Sequence, residues 1–175
     1  QGPFNNKNAI EMPGNGVTLA SDTALFVGLA EEPTWVRYAL DVSGKLKETG
    51  RMSLLGLGAK QVDYGNVLVD DHTAVSVLTN PALAVVWDPS TMTIKGQVDL
   101  SSLTRTGYEL EVWTTTSHDG LVYIPGRLSD WTGNRIYPSV STTIFDPKAM
   151  RVVGTAVSDR CASGDQVGPH PVDVE

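Results

Sequence analysis

Residues 125–139, PGRLSDWTGNRIYPS, gather Arg127, Asp130, Trp131, Arg135 and Tyr137 within one short stretch. Trp and Tyr beside two Arg is the composition of a binding surface. The indole can stack on a sugar or a peptide side chain, and a guanidinium can clamp a carboxylate through two parallel hydrogen bonds. A second group, Glu31, Glu32 and Trp35 in "EEPTW", places carboxylates where they could face those arginines or take a cation. A third is defined by spacing: Asn15, Asp63 and Glu111 recur every 48 residues. If repeated units converge on an axis, such a polar position supplies oxygen donors suited to a hard cation such as Ca²⁺. The plainer account is a polar lining around a water-filled channel.

Other reactive residue types offer less. His72 and His118 sit in Asp-containing turns at different offsets from the Asp, which reads as turn chemistry rather than metal ligation. His170 lies in a Pro-containing terminal stretch. Cys161 is the one cysteine, so the chain can form no disulfide within itself, and no His lies near it in sequence to make it a nucleophile. Neither a phosphate-cradling Gly-rich loop nor a zinc-protease or serine-hydrolase motif occurs. No cofactor is expected on these grounds.

Composition narrows the class. The chain has 175 residues, 41% hydrophobic and 19% charged, as a globular domain does. Its formal net charge is −7, which repels phosphate backbones and argues against nucleic acid as partner. No run approaches 18 apolar residues, so no membrane-spanning helix is expected. The sequence opens at Gln1 with no charged-then-apolar leader, so a mature or trimmed chain is expected. Six Lys against many Thr, Ser, Val and Gly suits β-structure outside the cytoplasm.

The elements that must position these residues emerge from a repeat. Asp22, Asp71 and Asp119 each precede a short run rich in β-branched and aromatic residues, at intervals of 49 and 48. A second ladder, Asp41, Asp88 and Asp146, follows in each unit. In "WDPSTM" and "FDPKAM", Pro fixes φ near −65° and starts a tight turn, and the Asp side chain can cap that turn. Each unit therefore reads as a four-stranded antiparallel meander, with units at about 9–54, 60–100 and 108–157 and a tail from 158 to 175. No window shows convincing helical periodicity. Four-stranded units at this period predict an all-β fold, a β-propeller, rather than a sandwich, which would not repeat its turn residues at fixed intervals.

The strand starts "SDTALFV", "DDHTAVSV" and "HDGLVYI", with the outer hairpin "VVWDPSTMTIKGQVDL", resemble bacterial extracytoplasmic β-propellers of the YVTN or quinoprotein-like class. The resemblance covers about residues 15–160 and bears on architecture. The first unit departs from it, because Asp41 is followed by Val42-Ser43-Gly44 and not by Pro.

Three units and a partial one fall short of the four to eight blades of a closed ring. The missing edges are expected to be met by further propeller blades or by a second copy of the chain. Loops between second and third strands, and between units, share one end of such an array, and the 125–139 stretch is expected to be the long loop at that end. The function expected is binding of a protein, peptide or glycan through that loop face. The alternatives are a lactonase- or quinoprotein-like enzyme with an axial metal or cofactor site, and a structural component of a surface assembly.

Overall fold

The computed structural model describes residues 15–29, 31–130 and 135–158, with 15, 16, 135–140, 157 and 158 described through the backbone alone. Turn chemistry sets the strand ends. Asp88 Oδ1 accepts hydrogen bonds from the Ser90 N–H at 2.8 Å and the Ser90 hydroxyl at 2.6 Å. Asp146 Oδ1 likewise accepts from the N–H groups of Lys148 and Ala149, at 3.0 and 2.9 Å. Asp41 closes a turn one residue shorter, accepting from Ser43 and Lys45, with Gly44 at φ +78°. At the same end, in the first turn of each of the first two units, the cap is not the repeated Asp. Asp70, not Asp71, accepts the His72 N–H, and Ser21, not Asp22, accepts the Ala24 N–H.

Among the described residues the chain forms three antiparallel sheets and almost no helix. Sheet 1 runs in the order β1 (Asn15–Ala20), β2 (Leu25–Leu29), β3 (Thr34–Leu40), β4 (Leu46–Ser53). Sheet 2 runs β5 (Gly65–Asp70), β6 (Thr73–Leu78), β7 (Leu83–Asp88), β8 (Thr93–Asp99). In sheet 3, β9 (Glu109–Glu111) and β10 (Thr116–His118) share one edge of β11 (Leu121–Asp130), followed by β12 (Arg135–Asp146) and β13 (Arg151–Ser158). The stretch expected as a loop at 125–139 is instead mostly strand. β11 and β12 pair from Val122↔Phe145 out to Asp130↔Arg135, with a bulge between Arg127 and Ser129. The reason is a second partner: β9 hydrogen-bonds to the far part of β11 and holds it extended.

Sheet 2 is covered on both faces, which is why its run Ala74–Leu78 is buried throughout. Toward sheet 1, Ala74, Leu78, Val85 and Trp87 meet Phe26, Trp35, Met52 and Leu54. Trp35 and Trp87 stack with centroids 5.5 Å apart, and Phe26 meets Trp87 edge-on at 5.7 Å. Both indole N–H groups donate to the Ser76 hydroxyl, at 3.1 and 3.0 Å. Toward sheet 3, Val75, Val77, Ala84 and Val86 meet Val112, Val122, Ile124 and Phe145. Trp35, expected on a binding face, is thus a core residue with no exposure. Its register partner Gly28 leaves room for Val17 and Val62, each of which a Cβ there would meet at 2.7 Å.

The seams between sheets share one device. Met92 and Met150, the last residues of the two D-P-x-x-M turns, adopt φ of +55° and +53°. Such a backbone costs a non-glycine residue roughly 1 kcal/mol. Met92 is seated over Gly50 of β4, where a Cβ would lie 2.8 Å from its Cγ. Met150 is seated over Gly96 of β8, where a Cβ would overlap its terminal methyl. Each methionine fills a place that only glycine leaves open.

Candidate functional site

At the end opposite the D-P turns, the connections into sheets 2 and 3 build a cleft. The chain leaves β4 through a 3-10 turn at Leu55–Leu57 that Gly58 ends at φ +83°. It is anchored by buried Ala59 and Val62 and arrives at Asp63. Asp63 Oδ2 accepts from the N–H and the hydroxyl of Thr79, both at 2.8 Å, and Oδ1 accepts from Gln61 Nε2 at 3.1 Å. This carboxylate ties the segment before β5 to the one after β6. The next connection leaves β8 through a 3-10 turn, Ser101–Leu103, whose Ser101 N–H donates to Asp99 Oδ1 at 2.7 Å. It enters β9 with Leu110 and Val112 inside. Between β9 and β10 the chain departs from the sheet edge, and Trp113 emerges half exposed.

Glu111 is the charged centre of this region. It is 4% exposed and accepts from Arg127 twice, Nε to Oε2 at 2.6 Å and Nη2 to Oε1 at 3.0 Å. It also accepts from the Ser129 hydroxyl and from Trp113 Nε1. Burial alone would push its carboxyl pKa up. The hydrogen bonds from Arg127, Ser129 and Trp113, with the guanidinium charge, outweigh burial and hold it below the ordinary value. The Arg127 guanidinium carbon also lies 5.5 Å from the Trp113 ring centroid, within cation–π range. Trp113 is therefore fixed twice, through its nitrogen and across its ring.

The cleft is lined by Gln61, Asp63, Tyr64, Thr79, Glu109, Glu111, Val112 and Trp113, with a volume of about 250 Å³. Tyr64 is 61% exposed and Trp113 50%. Glu109 accepts from Asn80 Nδ2 at 3.0 Å. Two larger grooves, about 560 and 540 Å³, open between the sheets at the D-P turn end. Their polar lining includes groups committed to turn caps: Asp70 to His72, Ser21 to Ala24. The smaller cleft holds the exposed aromatics Tyr64 and Trp113.

The sequence-derived residues divide around it. Asp63 and Glu111 line this one cleft, but both Glu111 oxygens and both Asp63 oxygens are already engaged by protein donors. Among the described residues no three His, Cys, Asp or Glu are placed to hold a metal ion. The Asn15 side chain, Trp131, and the side chains of Arg135 and Tyr137 lie outside the described residues, as does Cys161. Arg127 backs the cleft through Glu111 and Trp113 rather than standing free on a loop. Asp130 is buried at the end of β11. Glu31 is exposed in the connection before β3, and its neighbour Glu32 meets Arg51 at 3.6 Å. His72 and His118 are exposed at the opposite end, beside Asp88 at 3.8 Å and Asp119 at 3.3 Å. Tyr64 and Trp113 were not singled out by sequence reasoning. The signal available was an aromatic directly after a repeated acidic position, or two residues beyond it: Asp63-Tyr64 and Glu111-Val112-Trp113.

A scan against protein-family models finds no match for this chain, and a search of curated proteins finds none.

Proposed function

We propose that the chain is a β-propeller segment of the extracytoplasmic, YVTN or quinoprotein-like kind that acts as a binding module. Its ligand is a glycan or peptide seated in the cleft between sheets 2 and 3. The observation that carries this reading is Trp113, a half-exposed indole held in place by Glu111 and Arg127. A ring fixed before the ligand arrives loses little entropy on binding. The cleft selects by charge. Glu111 is neutralised by Arg127, whereas Asp63 and Glu109 face it with hydrogen bonds from uncharged donors alone. With a net charge of −7 on the whole chain, the cleft favours uncharged polyols or cationic side chains over anions. The propeller assignment is supported by three antiparallel sheets that each hold a four-stranded meander, by first turns that recur at intervals of 49 and 48, and by faces that stack in sequence order.

The test is a tryptophan-fluorescence and calorimetric titration against neutral oligosaccharides and against Lys- and Arg-bearing peptides, with Trp113→Ala beside the native chain. Saturable binding that falls at least tenfold in Trp113→Ala is expected. Because it removes one donor to the buried Glu111, that variant should lose about 1–3 kcal/mol of stability, and the binding comparison is made at a temperature where both chains are folded. Binding unchanged by the substitution, or absent with every probe at millimolar concentration, would sink the reading.

A further inference from the structure

In each sheet one cross-strand row ends at a glycine of the fourth strand. In sheet 1 the row is Leu19, Phe26, Arg37, Gly50. In sheet 2 it is Val67, Val75, Val86, Gly96. In sheet 3 it is Thr116, Tyr123, Ile144, Gly154. The first two glycines lie beneath Met92 and Met150 of the next sheet's turn. The third does not: among the described residues, only Ile144 Cδ1 comes within 4 Å of where a Gly154 Cβ would stand, at 3.9 Å. The rows agree. Val75 and Val86, covered by sheet 3, are 0% and 1% exposed, whereas Tyr123 and Ile144 are only half buried.

We infer that the face of sheet 3 bearing Tyr123, Ile144 and Gly154 docks a further four-stranded unit of this repeat, whose D-P-x-x-M turn seats its methionine over Gly154. The same hole is filled twice within the molecule by the same residue type from the same turn. That continuity identifies the occupant. A second copy of this chain stacked in the same sense does not qualify. It would present sheet 1, whose turn at Asp41 is one residue shorter and has Gly44 at the left-handed position, with no methionine. Its Met92 and Met150 are already seated. The inference rests on the stacking of repeats proposed above and is independent of the Trp113 cleft.

The experiment joins a copy of residues 59–104 to the C-terminus of the full chain through a flexible linker. Nuclear Overhauser contacts from the methionine ε-methyls and hydrogen exchange are then measured. The expected result is a contact between the added turn methionine and Gly154 Hα, with the added strands protected. Replacing the added turn by the Asp41 version should lower that protection at least tenfold. In the native chain, Gly154→Leu should leave Tm within about 1 °C, while Gly96→Leu, forced against Met150, should lower it by roughly 5 °C. The proposal is overturned if the added unit is protected without the Gly154 contact, or if it stays unprotected, since a docked unit would be ordered by this face. It is also overturned if Gly154→Leu costs as much as Gly96→Leu, or if the native chain forms dimers that Gly154→Leu dissociates. Ligand titration at Trp113 in the same chains separates failure here from failure of the cleft.

Discussion

The two seams of the molecule occupy equivalent positions and solve them differently. Ser76 on β6 faces Val85 on β7, and in the next unit Ile124 on β11 faces Thr143 on β12. The hydroxyl has crossed to the neighbouring strand. In the first seam Trp35 and Trp87 both reach Ser76, so three polar atoms are satisfied inside an apolar layer. In the second, Ala84 stands where sheet 1 has Trp35, Phe145 stands where sheet 2 has Trp87, and the buried Thr143 Oγ1 has no hydrogen-bond partner among the described residues. One seam is a hydrogen-bonded aromatic clamp, whereas the other is an aliphatic layer that tolerates an unmet hydroxyl. The lesson is that burial of a hydroxyl says nothing about its worth until its donors are counted.

The aromatic clamp gives the largest expected losses. Trp35→Ala should cost about 3–5 kcal/mol in urea unfolding, through lost contact and the cavity left against Trp87. Ser76→Ala removes almost no volume yet strands two indole N–H groups, so a loss of about 2–3 kcal/mol is expected. A loss below about 0.5 kcal/mol would mean that the clamp is only packing. Acid should separate the regions further. Glu111 has a folded-state pKa below its unfolded one, so its contribution is present above the ordinary carboxylate pKa and is lost as pH falls through the lowered folded value. Glu111→Gln should flatten this part of the pH–stability curve, whereas Ser76→Ala should shift the curve without changing its shape. The smallest effect has the opposite sign. Thr143→Val should be neutral or stabilising by up to about 1 kcal/mol, because it removes a buried hydroxyl that bonds to nothing.

Turn chemistry was the legible part of this chain. Asp88, Asp146 and the divergent Asp41 announced their hairpins, since an Asx cap and a following Pro or Gly act within a few residues. Four-stranded meanders followed from those turns taken with the first Asp turns, at intervals of 49 and 48. What failed was decided across strands. Trp35 follows Glu31-Glu32-Pro33 and reads as a loop aromatic, but its place in β3 turns it toward sheet 2. The 125–139 stretch reads as a loop because it is polar, yet β9 supplies a second edge that keeps β11 extended. Trp113 was hidden inside "EVWTTTSHDG", which reads as one inner strand. Only the pairing of β11 with two separate segments shows the break that brings the indole out. Of the repeated polar positions, Asp63 and Glu111 do share one cleft. Their hydrogen-bond partners, Thr79 and Arg127, lie 16 residues away and leave no mark on the spacing.

The seated methionine has a consequence for how such a chain can lengthen. Met92 and Gly96 belong to one hairpin, as do Met150 and Gly154, four residues apart in each case. Every duplicated hairpin therefore carries both halves of the joint: the peg that enters the unit before it and the notch that receives the unit after it. A gene that copies or deletes one such segment needs no compensating change in its neighbours. The unit at Asp41 carries the notch, Gly50, without a methionine peg in its own turn.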